Sequence, residues 1–472
     1  MIHPSDIGEP QPLIYDLDLQ MIEETVTRWG EPAYRALQIW QGLYRNLWNT
    51  PEQFTSLSRS LRERMARSFT FSSLRPDQVL ESKDGETRKT LFALQNGLAI
   101  ETVLMRYNRR RTLCISSQAG CAMGCVFCAT GQMGFRRNLS SGEIIEQVLY
   151  YARQLNGLDE QVTNIVVMGM GEPFHNYDET LAAIDRLNDP QGMGLGARRF
   201  TISTVGMIPA IRRFAAEDRQ VNLAISLHAA DDELRTSLLP INRKYPIDEL
   251  LAACKDYVEA TGRRITFEWA LIRDVNDTPE QARLLAERLQ LFRRGTATLC
   301  HVNVIPLNPT RRYRGKATTR ERADAFKGIL EAAGIPCTIR MRRGIDIQAG
   351  CGQLATQRQE PDPPAAPATP AGKLGARPGT PKPDAAKSSA SKLPPGRSAS
   401  AGKPAAAGKP APSGKPIAGK PAAGKPAVGK PAPARPPAAK PAPGNPARPK
   451  PGAAGHRPGA APPAAPKKPS GS

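Results

Sequence analysis

The chain opens with no positively charged segment followed by an apolar stretch, and no run of eighteen apolar residues occurs anywhere in it, so neither secretion nor membrane spanning is expected. A cytoplasmic address follows. In that reducing compartment the eight cysteines are expected as metal ligands, catalytic groups or buried apolar residues rather than structural disulfides. From Thr356 to the C-terminus there is no Phe, Tyr or Trp, and only Glu360, Asp362 and Asp384 oppose twenty Lys and Arg. A segment this poor in large apolar side chains cannot offset its ordering entropy by burial.

Within that tail Gly-Lys-Pro recurs six times, with lysines at Lys403, Lys409, Lys415, Lys420, Lys425 and Lys430. Proline biases such a background toward polyproline II, and the segment is expected to be disordered, serving as a solvated linker or as a weak tether to RNA or ribosome. The tail carries +17 of the chain's net +21, which leaves +4 for residues 1–355. Net charge therefore does not establish a nucleic-acid substrate for the body, although the tail raises nonspecific affinity for a polyanion.

What the body does have is periodicity. Apolar residues at Met21, Ile22, Val26 and Trp29, then at Ala36, Leu37, Ile39, Trp40, Leu43, Tyr44 and Leu47, recur near every 3.6 residues, with Gly30, Pro32 and Pro51 as breaks, and predict a small helical module. Asp84-Gly85 and Asn96-Gly97 predict two hairpin turns. Strand candidates then follow at 112–116, 163–168, 199–204, 222–227, 264–272, 299–305 and 336–341, separated mostly by amphipathic stretches of helix length. This is βα repetition, and it predicts a parallel sheet curled into a full or partial barrel, with chemistry at the loops after the strand C-termini. The expected divisions are a helical module over 1–75, a β-hairpin connector over 76–106, a core over 107–355 and the tail over 356–472.

Cys121-Ala-Met-Gly-Cys125-Val-Phe-Cys128 lies in the loop after the first of these strands. Three thiolates are one short of the usual four for a [4Fe-4S] cluster, and an iron left without a protein ligand is open to another molecule. Zinc, with Cys114 as a fourth ligand, is the rival, although zinc ligands usually come as two tight pairs. With Phe127 just before the last cysteine, the spacing resembles the radical S-adenosylmethionine (SAM) superfamily. Met168-Gly-Met-Gly171-Glu172-Pro173 lacks the third glycine of a dinucleotide fingerprint, and Pro173 stands where a helix should open, so that reading is rejected. Cys351 lies between Gly350 and Gly352, where a backbone can approach a ligand closely.

Further stretches, among them Thr112-Leu-Cys-Ile-Ser-Ser-Gln, Ile225-Ser-Leu-His228, Ile305-Pro-Leu-Asn308-Pro and Cys351-Gly-Gln-Leu, make residues 15–354 resemble the RlmN-type RNA adenine-C2 methyltransferases. Phe174-His175, Gly350 and the tail depart from that pattern. The resemblance implies a partial (βα)6 barrel, a [4Fe-4S] cluster on Cys121, Cys125 and Cys128, and SAM held by Gly171, Glu172, Ser203, Ser226, Leu227, His228 and Asn308. It further implies Cys351 as an S-methylcysteine carrier, Glu101 as proton acceptor and Cys114 as the partner of Cys351 in a transient disulfide. The implied partners are 23S rRNA and tRNA, with an electron donor of flavodoxin or ferredoxin type, no membrane and a monomeric state. The related C8 methyltransferases share these cysteines, and a zinc-stapled RNA-binding protein without catalysis is the alternative from another class. Arg109–Arg111 and Arg340, Arg342 and Arg343, close in sequence to Cys114 and Cys351, suit phosphate contacts. Cys254, Cys300 and Cys337 fall in apolar patterns and are expected in the core.

Overall fold

The structure, a computed structural model, describes residues 11–308, 310–340, 344–347, 350, 353 and 355; Arg342, Arg343, Cys351 and the tail from Thr356 lie outside the described residues. The expected helical periodicity folds as α1 (Leu19–Arg28), α2 (Tyr34–Tyr44) and α3 (Arg59–Ser68). The side chains of Asp18 and Ser58 cap α1 and α3 by accepting from Met21 N and Leu61 N, which satisfies amides the first turn leaves orphaned. Ile22, Val26, Ile39, Trp40, Leu43 and Tyr44 turn inward and join the main core. Glu146 clasps the end of this helical region, accepting from Ser73 N at 2.8 Å and Ser73 Oγ at 2.6 Å.

Both hairpin turns form where the sequence places them. Gly85 and Gly97 adopt φ of +68° and +79°, between β1 (Leu74–Glu81) and β2 (Thr87–Leu94) and between β2 and β3 (Ala99–Tyr107). These three strands pair antiparallel, and β3 pairs antiparallel with β4 (Arg110–Cys114), so the hairpins extend the main sheet. A small side hairpin follows, of β5 (Gln118–Gly120) and β6 (Phe135–Asn138), with α4 (Ala129–Met133) between them.

From β4 the chain repeats strand and helix: α5 (Ser141–Asn156), β7 (Asn164–Val167), α6 (Tyr177–Asn188), β8 (Phe200–Thr204), α7 (Ile208–Ala216) and β9 (Asn222–Ser226). It continues with α8 (Asp232–Leu238), α9 (Ile247–Thr261), β10 (Ile265–Leu271), α10 (Pro279–Leu289), the short strands β11 (Arg293–Arg294) and β12 (Ala297–Thr298), β13 (Cys300–Pro306), α11 (Arg320–Ala332) and β14 (Cys337–Ile339). Strands β4, β7, β8, β9, β10, β13 and β14 are mutually parallel. The whole sheet runs β1-β2-β3-β4-β7-β8-β9-β10-β13-β14. The core is thus the open, partial barrel expected from the βα repetition, with β14 added at one edge.

Alternation along these strands sorts the two faces. Phe267, Trp269, Val302 and Val304 pack outward against the helices, while Thr266, Glu268, His301 and Asn303 line an inner cavity of about 460 Å³. Cys254, Cys300 and Cys337 are all buried, as expected. Helix α5 shapes the site directly. It opens with a capping box between Ser140 and Glu143, and its Gln147 accepts from Ser116 N at 2.8 Å and donates to Ser116 O at 2.9 Å, which fixes the chain just beyond β4.

Candidate active site

The cysteine loop is closed at its base by backbone contacts. Cys121 N donates to Gly134 O at 3.0 Å, Cys128 N to Cys125 O at 3.1 Å and Val126 N to Leu238 O at 3.0 Å. Gly120 has φ of +75°, and a Cβ there would stand 1.9 Å from Gly134 O, so only glycine permits this closure. Cys121 and Cys125 are buried and Cys128 half-buried, with Cys125 packed among Leu238, Leu239, Ile272 and Leu307. Burial first, and the neighbouring Cys128 thiol with it, pushes Cys121 up to about 12. Cys125 is raised well above the ordinary thiol range, by burial and then by Cys128 and Cys121.

Crowded thiols that resist ionisation, as Cys121 and Cys125 do, are poor acids alone and gain most from a metal that takes up their charge. Among the described residues no group of three His, Cys, Asp or Glu is arranged to hold one metal ion. An iron–sulfur cluster places each thiolate on a different iron and needs no such convergence. The trio fits the cluster.

Beside the trio, Gly171 turns with φ of +108°, and a Cβ on it would lie 2.7 Å from Gln118 N. That turn buries Glu172, whose N donates to Gln118 Oε1 at 2.9 Å, and whose carboxylate accepts from Phe174 N at 3.0 Å and Val205 N at 2.9 Å. Burial pushes its carboxyl up to about 7, and among the described residues no Lys, Arg or His forms an ion pair with it. A buried carboxyl lacking a cation is a fitting receptor for the ammonium group of SAM.

Ser203 and Ser226, at the C-terminal ends of β8 and β9, bring their hydroxyls within 3.4 Å of one another. Leu227 N donates to Glu268 O at 3.1 Å. His228 sits in the left-handed region at φ +61°, and its Nδ1 accepts from Ala270 N at 2.9 Å. Burial, with Arg235 adding to it, pushes the imidazole down to about 3, so the ring is neutral with its proton on Nε2, an assignment that follows from the hydrogen bond. Phe127 meets the ring edge-on at 5.1 Å. Asn308 joins Phe127, Cys128, Ala270, Gly350 and Gln353 around a cavity of about 160 Å³.

On the adjoining sheet face, Cys114 ends β4 opposite Val103 of β3, and Glu101 is two residues before Val103 on the same face. Glu101 is 2% exposed, not the solvated strand carboxylate that its residue type alone suggests. Its Oε2 lies 2.6 Å from Lys89 Nζ, and its Oε1 accepts from Ala355 N at 2.8 Å. Lys89 Nζ also donates to Gly350 O at 2.7 Å. The chain on both sides of position 351 is therefore seated on β2 and β3.

The family model for the Radical SAM superfamily matches residues 115–286, and that for the ribosomal RNA large subunit methyltransferase N-terminal domain matches residues 14–70. A probable dual-specificity RNA methyltransferase RlmN of Chloroflexus aurantiacus is 49% identical over 356 residues, covering 74% of this chain and 94% of that protein. The chain belongs to the RlmN family. Another relative, the dual-specificity RNA methyltransferase RlmN 1 of Myxococcus xanthus, is 47% identical over 341 residues, covering 72% of this chain and 93% of its own. A solved radical SAM methyltransferase from Sphaerobacter thermophilus matches with a TM-score of 0.70 at 49% identity, over 73% of this chain and 99% of that one. Radical SAM enzymes use a [4Fe-4S] cluster and SAM, and this chain is a SAM-dependent radical methyltransferase.

Several residues that build this RlmN-family site were not singled out from the sequence. Lys89 had no signal beyond being a charged residue in an apolar strand. Arg235, fully buried, donates to Leu227 O at 3.1 Å, Asn242 Oδ1 at 2.8 Å and Val205 O at 2.7 Å, tying together the loops after β8 and β9; burial pushes it down to about 10. His175, noted in the sequence without a role, bonds Gln118 Nε2 at 2.9 Å and packs edge-on to Phe135. The cluster Arg109–Arg111 begins β4 rather than ending it, which puts it at the opposite end of the strand from the cysteine loop. Arg111 there is engaged by Glu160 and by Tyr107 O. Nearness in sequence to Cys114 is therefore not nearness to the site.

Proposed function

We propose that this chain methylates C2 of an adenine in the peptidyl transferase centre of 23S rRNA and of an adenine beside the anticodon in tRNA. The seating of Gly350 and Ala355 on Lys89 and Glu101, with Glu101 on the strand next to that of Cys114, supports this reading more than any other observation. Adenine C2 is electron-poor and does not attack a sulfonium methyl as an amine would, so the transfer needs a radical route. Cys121, Cys125 and Cys128 would hold the [4Fe-4S] cluster, which with SAM would supply a deoxyadenosyl radical. Gly171, Glu172, Ser203, Ser226, Leu227, His228 and Asn308 hold the SAM.

Cys351 carries the methyl group as S-methylcysteine and, once a hydrogen atom has been removed from it, joins its carbon to C2. Glu101 accepts the C2 proton. Cys114 attacks the Cys351 sulfur: an S–S bond forms, the carbon–sulfur bond breaks, the new methyl group takes a proton, and the one electron released would return to the cluster that was oxidised in making the radical. Cellular thiols then reset the disulfide. The protein works in the cytoplasm as a monomer, with a flavodoxin- or ferredoxin-type electron donor; no described helix is long and apolar enough to cross a membrane.

Mass spectrometry of the chain purified from cells is expected to find Cys351 methylated, and digested target RNA to contain 2-methyladenosine. An 8-methyladenosine product would move the chain to the C8 enzymes. A colourless protein holding zinc, rather than a brown one with about four irons per chain, would end the radical reading.

A further inference from the structure

We propose that Lys89 is a positioning residue for the proton step: it aims the Glu101 carboxylate, and it holds the Gly350 end of the carrier segment beside it. The inference rests on the reading of Glu101 as proton acceptor given above. Register places the participants together. Lys89 of β2 is opposite Val103 of β3, and Val103 is opposite Cys114 of β4, so Lys89, Glu101 and Cys114 share one face across three adjacent strands.

Lys89 is 0% exposed and Glu101 2%. Burying an ammonium and a carboxylate in an apolar strand pair is at best neutral for stability compared with well-packed apolar side chains. Leu91, Phe92, Ala93 and Leu94 follow in the same strand and are buried, so apolar residues at positions 89 and 101 together would suit the fold. The ion pair is therefore a feature that folding does not require, and its contacts say what it serves. One Lys89 ammonium meets Glu101 Oε2 at 2.6 Å and the carbonyl of the Gly350–Cys351 peptide at 2.7 Å, while Ala355 N fixes the other carboxylate oxygen at 2.8 Å.

Two consequences follow from removing the ammonium. Glu101 Oε2 loses the ammonium that fixes it at 2.6 Å, so the carboxylate is no longer held in one orientation for the proton step. The Gly350 carbonyl also loses its donor, so the chain entering position 351 loses an anchor. Both effects fall on release of the RNA rather than on radical formation, because the cysteine trio and Glu172 lie on other elements.

The test uses the full-length, cluster-loaded enzyme with a 23S rRNA fragment containing the target adenine, comparing Lys89→Met, Lys89→Gln and Lys89→Arg with Cys114→Ala. Lys89→Met is expected to lower methylated product by roughly 10²-fold, the usual contribution of a general base, while a covalent protein–RNA adduct accumulates on denaturing gels, as is expected for Cys114→Ala. Lys89→Gln keeps a donor, and with it the fold, but removes the charge; it accumulates adduct too. Lys89→Arg restores the charge and is expected to recover product to within about tenfold of wild type. Wild-type turnover in Lys89→Gln, or lost product with no adduct in both neutral variants while Cys114→Ala still traps one, would overturn the proposal. No adduct from Cys114→Ala itself would instead bring down the covalent reading, and this inference with it.

Discussion

His228→Asn separates what the imidazole does for the fold from what it does for SAM. The position demands a residue that tolerates φ of +61°, and asparagine does so better than other non-glycine residues. Its Oδ1 can take over from Nδ1 in accepting from Ala270 N, a bond of 2.9 Å in the wild type. The substitution therefore removes titration and the Nε2 donor while keeping the structural hydrogen bond. Burial lowers His228 from 6.5 to about 3. The folded state thus binds fewer protons than the unfolded chain at pH values between these limits. Stability is fully present above 6.5 and is lost progressively as the pH falls toward 3.

Each pH unit in that window is worth about 1.4 kcal/mol, so acidification from pH 6.5 to 5 costs the wild type about 2 kcal/mol that His228→Asn does not lose. For a folded body of this length that is a relative shift of about 3 °C in Tm. Thermal unfolding of both proteins at pH 7.5 and pH 5 reads the difference directly. Tm curves that run parallel across this range would refute the reasoning, because they would mean that the folded protein protonates His228 as readily as the unfolded chain does. At pH 7.5 the lost Nε2 donor is expected to weaken SAM binding by roughly five- to tenfold, about 1 kcal/mol.

Three other substitutions test neighbouring parts of the site. Glu172, raised by burial from 4.5 to about 7, has the opposite sign to His228: without SAM, the wild type loses up to about 3 kcal/mol relative to Glu172→Gln as pH rises from 4.5 to 7. SAM should therefore raise the wild-type Tm more at pH 8 than at pH 6, and an equal shift at both would count against the ammonium assignment. Gly171→Ala must accommodate φ of +108° and a Cβ 2.7 Å from Gln118 N; it is expected to cost about 2–3 kcal/mol and more than tenfold in SAM affinity by equilibrium dialysis, and wild-type affinity would show the turn to be unimportant. Arg235→Met strands the acceptors Val205 O, Leu227 O and Asn242 Oδ1, with an expected loss of about 3 kcal/mol, or about 6 °C in Tm; a change under about 1 °C would mean that burying the guanidinium costs as much as its bonds return.

How much of this was legible in the sequence depended on how far apart the cooperating residues lie. Cys121, Cys125 and Cys128 are eight residues from end to end, so their chemistry is a local pattern and was readable. The Asp84-Gly85 and Asn96-Gly97 turns and the seven parallel strands were readable for the same reason, since turn chemistry and alternation act over a few residues. Lys89 and Gly350 are separated by 261 residues, and Glu101 and Ala355 by 254. No periodicity joins such positions, and each residue alone looks like an ordinary surface charge or a loop glycine. Arg235 was hidden differently, since a charged residue on an amphipathic helix normally faces water.

The same distinction explains why sequence proximity failed for Arg109–Arg111 and succeeded for Cys114. A strand of five residues (Arg110–Cys114) spans about 16 Å, so residues that are neighbours in the chain can stand at opposite ends of a barrel layer. Cys114 is at the end where a parallel barrel gathers its ligands, whereas the arginines are at the other. For RNA contacts near the site, the direction of the strand is therefore a better guide than the count of residues. By that criterion the candidates are the basic residues after strand C-termini, namely Arg136 and Arg137 in the side hairpin and Arg311, Arg312 and Arg314 beyond β13. Arg137 pairs with Glu143 at 2.7 Å and Arg312 donates to Gln132 O at 3.3 Å, so each of these positions is tied to the loops around the cysteine trio.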